Sequence, residues 1–459
     1  MARDGDRARA RPTRRLAVRG SRKPWRARLL VAALGALWLD AHAARADDDH
    51  APPTIAGAAS CAVAACHGGA NPDYGQYRTW LELDRHAQAF QTLLSDQSQQ
   101  IVASLKQQPA HDNDLCLACH STSVLGQAGP RFDRREGISC ESCHGLAEKW
   151  LEPHKLTPWK EVTPDDKYGS LGMRETKNVV VRARLCVECH VGTAQHDVNH
   201  ELLAAGHPPL VFELDLFTAR MPPHWKGPSD KVTTFGAAAW SVGQAVAIKQ
   251  LLAVLRGRLS RADWPEFAEF DCSACHHALE EPSWRQKRGY PGRGPGALAW
   301  SRPQWDVLRR LVPQTAEARR TDDAFASLAR ALNNPRSGAA ELLSLTGKAE
   351  QAADAALDTI VQLKWTDAKL SRLLDELIAH ADRANEPAGA LHHTLAASAL
   401  FEAIERATQP HESKQAADRA GRVRARFNDL LHQITGPAYS PTSFGDRLTD
   451  LRQALERNR

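Results

Sequence analysis

Five times in 459 residues a pair of cysteines ends with a histidine directly after its second member, and these five motifs use all ten cysteines of the chain. They are Cys61-Ala-Val-Ala-Ala-Cys66-His67, Cys116-Leu-Ala-Cys119-His120, Cys140-Glu-Ser-Cys143-His144, Cys186-Val-Glu-Cys189-His190 and Cys272-Ser-Ala-Cys275-His276. C-x-x-C-H is the attachment signature of c-type haem: the two thiols add across the vinyl groups of one porphyrin, and the next imidazole lies beneath its iron. Histidine fills 20 of the 459 positions, so five independent placements after five Cys pairs would arise by chance on the order of 10⁻⁷ of the time. A structural zinc site needs four ligands and has no use for a histidine after every pair. Disulfide frameworks belong to small chains without a core, and thioredoxin-type chemistry needs one motif in a βαβ setting. The expected cofactors are therefore five covalently bound c-type haems, with His67, His120, His144, His190 and His276 as proximal iron ligands. The first motif has four residues between its cysteines; a longer spacer can loop outward, and attachment through Cys66 alone, or an empty site, is the alternative there.

Residues 1–28 hold eleven Arg or Lys against two Asp and precede the apolar run Leu29–Leu39, after which small residues alternate at Ala41-His42-Ala43 and Ala44-Arg45-Ala46. A basic region, a short apolar core and an A-x-A site read as a secretory signal over residues 1–46, with the periplasm as destination. The apolar core is short of the roughly 20 residues of a membrane span; an uncleaved anchor is the alternative. The chain carries 59 basic and 54 acidic residues, and the leader takes 12 and 3 of them, leaving 47 against 51. The basic balance thus belongs to the leader, and a nucleic-acid partner loses its support. No later stretch is uninterrupted enough for a membrane span, so none is expected in the mature chain.

The motifs lie within residues 61–276, too little polypeptide per porphyrin for separate hydrophobic cores, so the porphyrins themselves must supply much of the interior. Motifs two and three, only 24 residues apart from Cys116 to Cys140, hold their irons close, and closely packed haems make a path for electrons. A Pro/Gly-rich stretch, Arg288-Gly-Tyr-Pro-Gly-Arg-Gly-Pro-Gly-Ala297, marks a boundary. Beyond it helical apolar spacing recurs over 305–311, 324–332, 339–363, 367–382, 389–407, 414–434 and 444–455. The expected fold is mainly α with little strand: a pentahaem cytochrome domain over 47–287, a linker over 288–299 and a helical bundle over 300–459. His380, His392, His393, His411 and His432, in that bundle, read as surface or interhelical rather than as iron ligands.

The sixth position on each iron separates a wire from a catalyst, because two protein ligands leave no face for a small molecule. Met173 and Met221 are the only thioethers after the leader, so histidine must supply most distal ligands. His86, spaced from Leu83 and Phe90 as on one helix face, is a candidate, and so is His154, ten residues after His144. His200 and His207 are seven apart, two helical turns, and are candidates for two different haems. His224, His277, His111 and His196 stand in reserve.

The order of the motifs, with Trp80 six residues before His86-Ala-Gln-Ala89, Leu115 before the second motif, and Gly137-Ile-Ser-Cys-Glu-Ser-Cys-His-Gly145 followed by His154, resembles the cytochrome c-554 family over about residues 58–195. That family consists of tetrahaem periplasmic electron carriers linked, in ammonia oxidisers, to hydroxylamine oxidation. The resemblance implies that His86 and His154 are distal ligands and that the haem on Cys116, Cys119 and His120 is open and five-coordinate. The long first spacer, the fifth motif and the Cys-free C-terminal region depart from the family, and its partner and substrate do not carry over.

Two functions follow as expectations. The first is a periplasmic carrier that passes electrons between redox partner proteins through transient, partly electrostatic contacts. The second is a multihaem oxidoreductase acting on a small inorganic nitrogen or sulfur compound at the haem of His120, with His111 or Arg131 nearby in sequence as proton or charge partners.

Overall fold

The computed structural model describes residues 52–225, 232–261, 264–276, 298–301, 303–312, 316–381, 387–408, 413–435 and 439–457. The leader, His277, His411 and nearly all of the Pro/Gly-rich stretch lie outside them. Residues 53–459 form one compact unit. The described chain is helical, with only a two-residue parallel pairing of β1 (Thr54–Ile55) with β2 (Gln127–Ala128) and one bridge between Phe270 and Trp300.

The part carrying the first four motifs is a chain of short helices: α1 (Gln76–Leu83), α2 (Ala89–Thr92), α3 (Asp96–Ser104), α4 (Asp114–His120), α5 (Cys140–His144), α6 (Val179–His190), α7 (His200–Ala204) and α8 (Leu214–Arg220). Their starts are written in the sequence. Asn113 accepts from the Leu115 amide at the head of α4, Asn178 from Val180 and Val181 at α6, and Asn199 from Leu202 at α7. Each cap satisfies donors that a helix cannot pair internally.

Little of this region packs against itself. Its separate buried clusters are small, one around Phe90, Leu93, Val102 and Leu117 and another of Ala58, Trp80 and Ala87. The large apolar side chains left exposed, Val63, Leu83, Val124, Leu156, Trp225 and Phe267 among them, all lie between residues 63 and 267 apart from Val361. A concentration of apolar surface in one region marks a place where something apolar binds.

The main core lies elsewhere. Helices α9 (Val232–Leu259), α10 (Pro303–Leu311), α11 (Ala316–Leu332), α12 (Ala339–Val361), α13 (Asp367–Ala381), α14 (Pro387–Thr408), α15 (Lys414–Thr435) and α16 (Pro441–Glu456) build a bundle. All seven helices expected after the boundary are present. α9, which precedes the boundary in sequence, is the bundle's central helix and packs on α6, α8, α10, α12 and α14. It is apolar on every side because it has neighbours on every side. Its stretch Gly236–Leu259 is long and apolar enough to cross a membrane by length and composition, and most of it is buried within the fold. Trp240, Ile248, Leu252 and Leu255 of α9 meet Phe325, Leu328 and Phe401 from the other helices. Each such side chain contributes roughly 1.5–3 kcal/mol on burial.

His392 is interhelical, reaching α9, and His393 is buried with its hydrogen bond inside its own helix. His392 Nε2 meets Gln244 Oε1 at 2.8 Å, and His393 Nδ1 donates to the Gly389 carbonyl at 2.9 Å.

Candidate haem sites

Helix geometry puts each C-x-x-C-H motif to use. In α4, α5 and α6 the two cysteines and the histidine fall at i, i+3 and i+4, so two thiols and one imidazole share a face at the helix C-terminus. The first motif is a set of turns, closed by Cys66 N–H to Val63 O at 2.9 Å and Gly68 N–H to Val63 O at 3.0 Å. The fifth is a short 3₁₀ turn over Cys272–Ala274.

The first four motifs surround one cavity of about 2410 Å³ whose lining includes all eight of their cysteines and His67, His120, His144 and His190. A pocket for one drug-sized ligand is about 300–1,000 Å³, so this space suits several large flat groups. All ten thiols are free. Cys61 lies against Cys140, and Cys119 against Cys189; motif one therefore abuts motif three, and motif two abuts motif four. Burial pushes the Cys143 thiol up to about 11 and the Cys186 thiol up to about 12, so both are held as thiols rather than thiolates. Among the described residues no group of three or more His, Cys, Asp or Glu is gathered as a metal site, which leaves the zinc alternative without a ligand set.

Four pairs of imidazoles face each other. The ring centres of His67 and His154 are 6.3 Å apart and the planes 9° from parallel; those of His86 and His190 are 6.3 Å apart at 88°. His144 and His224 are 6.5 Å apart at 77°, and His200 and His276 6.1 Å apart at 26°. A metal–imidazole bond of about 2.0–2.1 Å on each side, with about 1.1 Å from ring nitrogen to ring centre, separates two trans imidazoles by about 6.3 Å. The residues present therefore fit an iron between each pair. Every pair joins one motif histidine to one histidine outside the motifs.

Hydrogen bonds at Nδ1 orient several of these rings and turn Nε2 toward its partner. His86 Nδ1 meets Asp84 Oδ1 at 2.9 Å, His154 Nδ1 donates to Leu151 O at 2.7 Å, and His67 Nδ1 to Gln76 Oε1 at 3.2 Å. The Val211 carbonyl accepts from His190. Such outer contacts fix tautomer and ring direction in metal-binding histidines. Burial holds His144 and His190 down at about 4, keeping both imidazoles neutral and able to ligate.

His120 stands apart. Its Nδ1 is held by Ala89 O at 3.0 Å and Thr92 Oγ1 at 2.9 Å, and burial lowers its affinity for a proton. Among the described residues no ring stands at the 6.1–6.5 Å of the four pairs, and His207 is the imidazole whose charge reaches it. Arg131 is exposed, His111 lies 3.5 Å from Asp112, and neither lines the cavity.

Of the four distal candidates, His86, His154 and His200 face motif histidines. His207 lines the same cavity as His120, with Nδ1 on Pro208 O at 2.8 Å, and lies close enough for its charge to lower the affinity of His120 for a proton. The helical face expected to align it with His200 is interrupted, because α7 ends at Ala204 and Gly206 turns the chain with φ of 110°. His86 also departs from expectation. α1 ends at Leu83, Asp84 caps the 3₁₀ turn Arg85–Gln88, and Leu83 is exposed rather than sharing a face with His86. His224, held in reserve, is the partner of His144. Its only local signal is the aromatic cover of Trp225, with ring centres 5.0 Å apart, since its facing ring lies far away in sequence.

The Gly137–Gly145 block has a physical reason. Gly137 adopts φ of 71°, and a Cβ there would lie 2.6 Å from the His86 carbonyl, which accepts from Ile138 N–H at 2.9 Å. Glu141, the first residue between Cys140 and Cys143, is buried and accepts from the amides of Ala56 at 3.1 Å, Gly57 at 2.9 Å and Ala147 at 2.8 Å.

Paired thiols, a histidine behind each pair and facing imidazoles around a common apolar space define a c-type haem-binding protein. Residues 60–145, under a fifth of the chain, match the family described as cytochrome c554 and c-prime. That match identifies the segment as c-type cytochrome sequence, with covalently bound haem and a role in electron transfer. No curated protein and no solved structure matches the chain.

Proposed function

We propose that this chain is a periplasmic pentahaem cytochrome that carries electrons between redox partner proteins. The observation that carries the reading is the set of four imidazole pairs at 6.1–6.5 Å, each uniting a motif histidine with one outside the motifs. In this reading His67/His154, His86/His190, His144/His224 and His200/His276 are axial pairs. Haem supplies a reversible one-electron iron couple, and two nitrogen ligands hold that couple in a low potential range. The protein's part is to aim each imidazole, to enclose the shared cavity, and to hold motif one against motif three and motif two against motif four.

The secretory leader supports the location, and covalent attachment outside the cytoplasm agrees with it. Intact mass and pyridine haemochrome absorbance together test the count: five haems per chain are expected, and four would remove either the first or the fifth motif from the reading. A redox titration with every iron silent would end the carrier reading.

One observation favours a second activity at one site. His120 has no ring among the described residues at the 6.1–6.5 Å of the four pairs, His207 being the imidazole in its electrostatic reach; in this second reading its haem would keep a free face for a small nitrogen or sulfur compound. Carbon monoxide binding to one iron of the reduced protein is the expected result; low-spin spectra from every iron with no carbon monoxide bound would exclude it.

A further inference from the structure

We propose that Arg258 is the positioning residue of the fifth haem, a clamp from the helical bundle that sets both of its axial ligands at once. The inference rests on the five-haem reading above.

The fifth site differs in construction from the other four. Neither His200 nor His276 nor their neighbouring cysteines line the common cavity. The two imidazoles come from segments far apart in sequence, with almost no local secondary structure to hold them: α7 has five residues, and the 3₁₀ turn over Cys272–Ala274 has three. Something must nevertheless hold the rings at 6.1 Å and 26°.

The guanidinium of Arg258, near the end of α9, is buried between these two segments. Its Nε donates to Asp197 Oδ2 at 2.6 Å and one terminal nitrogen donates to the Val198 carbonyl at 3.0 Å, three and two residues before His200. The other terminal nitrogen donates to Glu269 Oε1 at 2.9 Å, three residues before Cys272. One rigid fork therefore spans the distal-ligand loop and the proximal-ligand segment, which a flexible ammonium cannot do with the same geometry.

The rest of the network serves the same joint. Arg261 donates to Asp197 Oδ1 at 2.6 Å and to Ala194 O at 3.0 Å. Trp300 Nε1 donates to Glu269 Oε2 at 3.1 Å. Glu266 accepts from the backbone N–H of His200 itself at 2.8 Å. The bundle helix also approaches the loop closely: a Cβ on Gly257 would lie 2.7 Å from Ala194 O.

Removing one partner from a buried charge network leaves the other charges unpaired, which is strongly unfavourable. In Arg258→Met, Asp197 keeps Arg261 but Glu269 keeps no cation of the clamp, so the two segments are joined only by weaker ties such as Glu266 to the His200 amide. The thioether bonds through Cys272 and Cys275 do not depend on the clamp. The haem stays attached, and the weaker attachment, His200 to iron, is the one to give way.

The test uses the full-length, haem-loaded protein read by intact mass and by low-temperature electron paramagnetic resonance. Arg258→Met is expected to keep the wild-type haem count while one low-spin iron becomes high-spin, and Arg258→Lys to restore part of the low-spin signal. In a Cys272→Ala/Cys275→Ala background, which lacks the fifth haem, Arg258→Met should add no high-spin signal. Should Arg258→Met fail to fold, Glu269→Gln and Asp197→Asn each break one arm of the clamp, and the same conversion is expected in at least one. A folded Arg258→Met with all its low-spin irons intact, or both single-arm variants unchanged, overturns the clamp alone. A Cys272→Ala/Cys275→Ala chain with an undiminished haem count overturns the five-haem reading, and the clamp falls with it.

Discussion

His86 and His190 face one another with ring centres 6.3 Å apart and planes at 88°. His67 and His154 keep the same separation with planes at 9°. Parallel imidazole planes act on the same iron d orbital and split it from its partner, whereas crossed planes act on both orbitals about equally. The pairs at 9° and 26° should therefore give rhombic low-spin resonance signals, and those at 88° and 77° strongly axial ones with a large principal g value. Low-temperature electron paramagnetic resonance of the oxidised protein checks this, and a spectrum holding only rhombic signals would contradict it.

Among the described residues His224 is the ring that faces His144, with centres 6.5 Å apart. His224→Ala should convert that iron from low-spin to high-spin and open it to carbon monoxide after reduction, with the haem count unchanged. His207→Ala, by contrast, should leave the number of low-spin irons as it is if the haem of His120 keeps a free face, and loss of one low-spin iron would make His207 its ligand. Spin counting on the two variants distinguishes the roles.

Glu141 ties the start of the described chain to the third motif through the amides of Ala56 and Gly57 and also holds the Ala147 amide beyond the motif. A hydrogen bond to a charged group contributes about 1.5–3 kcal/mol, and Glu141→Ala would leave three donors without their acceptor. The expected destabilisation is on the order of 4 kcal/mol. Glu141→Gln keeps one acceptor oxygen and should lose about half of that. Guanidinium unfolding midpoints of the two variants measure the order.

Stability should peak in mildly acidic solution. Burial, and then the neighbouring Asp215 charge, raise Glu213 to about 8 from an ordinary 4.5. Its contribution is fully present below pH 4.5 and is lost as pH rises through 8, a cost on the order of 4 kcal/mol. Burial lowers His392 from 6.5 to about 3. The unfolded chain binds more protons there between pH 6.5 and 3, so stability falls as pH drops through that window. Unfolding free energy should be greatest at about pH 5–6, and Glu213→Gln should flatten the alkaline side. An unchanged alkaline slope in that variant would show that another group governs it.

The sequence made the attachment chemistry legible because thioether bonding is local: two thiols and an imidazole within five to seven residues carry their meaning wherever the chain goes. Helical spacing after the Pro/Gly-rich stretch was equally readable, since periodicity and caps act within one or two turns. His86 and His154 were legible as candidates, although the turn that presents His86 depends on an Asp84 cap rather than on the helix face that Leu83 and Phe90 suggested. His224 carried no comparable signal, and the helical face expected to align His207 with His200 is broken at Gly206.

What the amino-acid order determined by itself is the cofactor chemistry, the proximal histidines and the helices, all properties of short segments. Only the tertiary structure decided which imidazole meets which, that His120 and His207 share the cavity, and that α9 leaves the haem motifs to become the centre of the bundle. The reason is distance along the chain: a pairing such as His200 with His276 exists only once Arg258 and its carboxylates have brought two remote segments together.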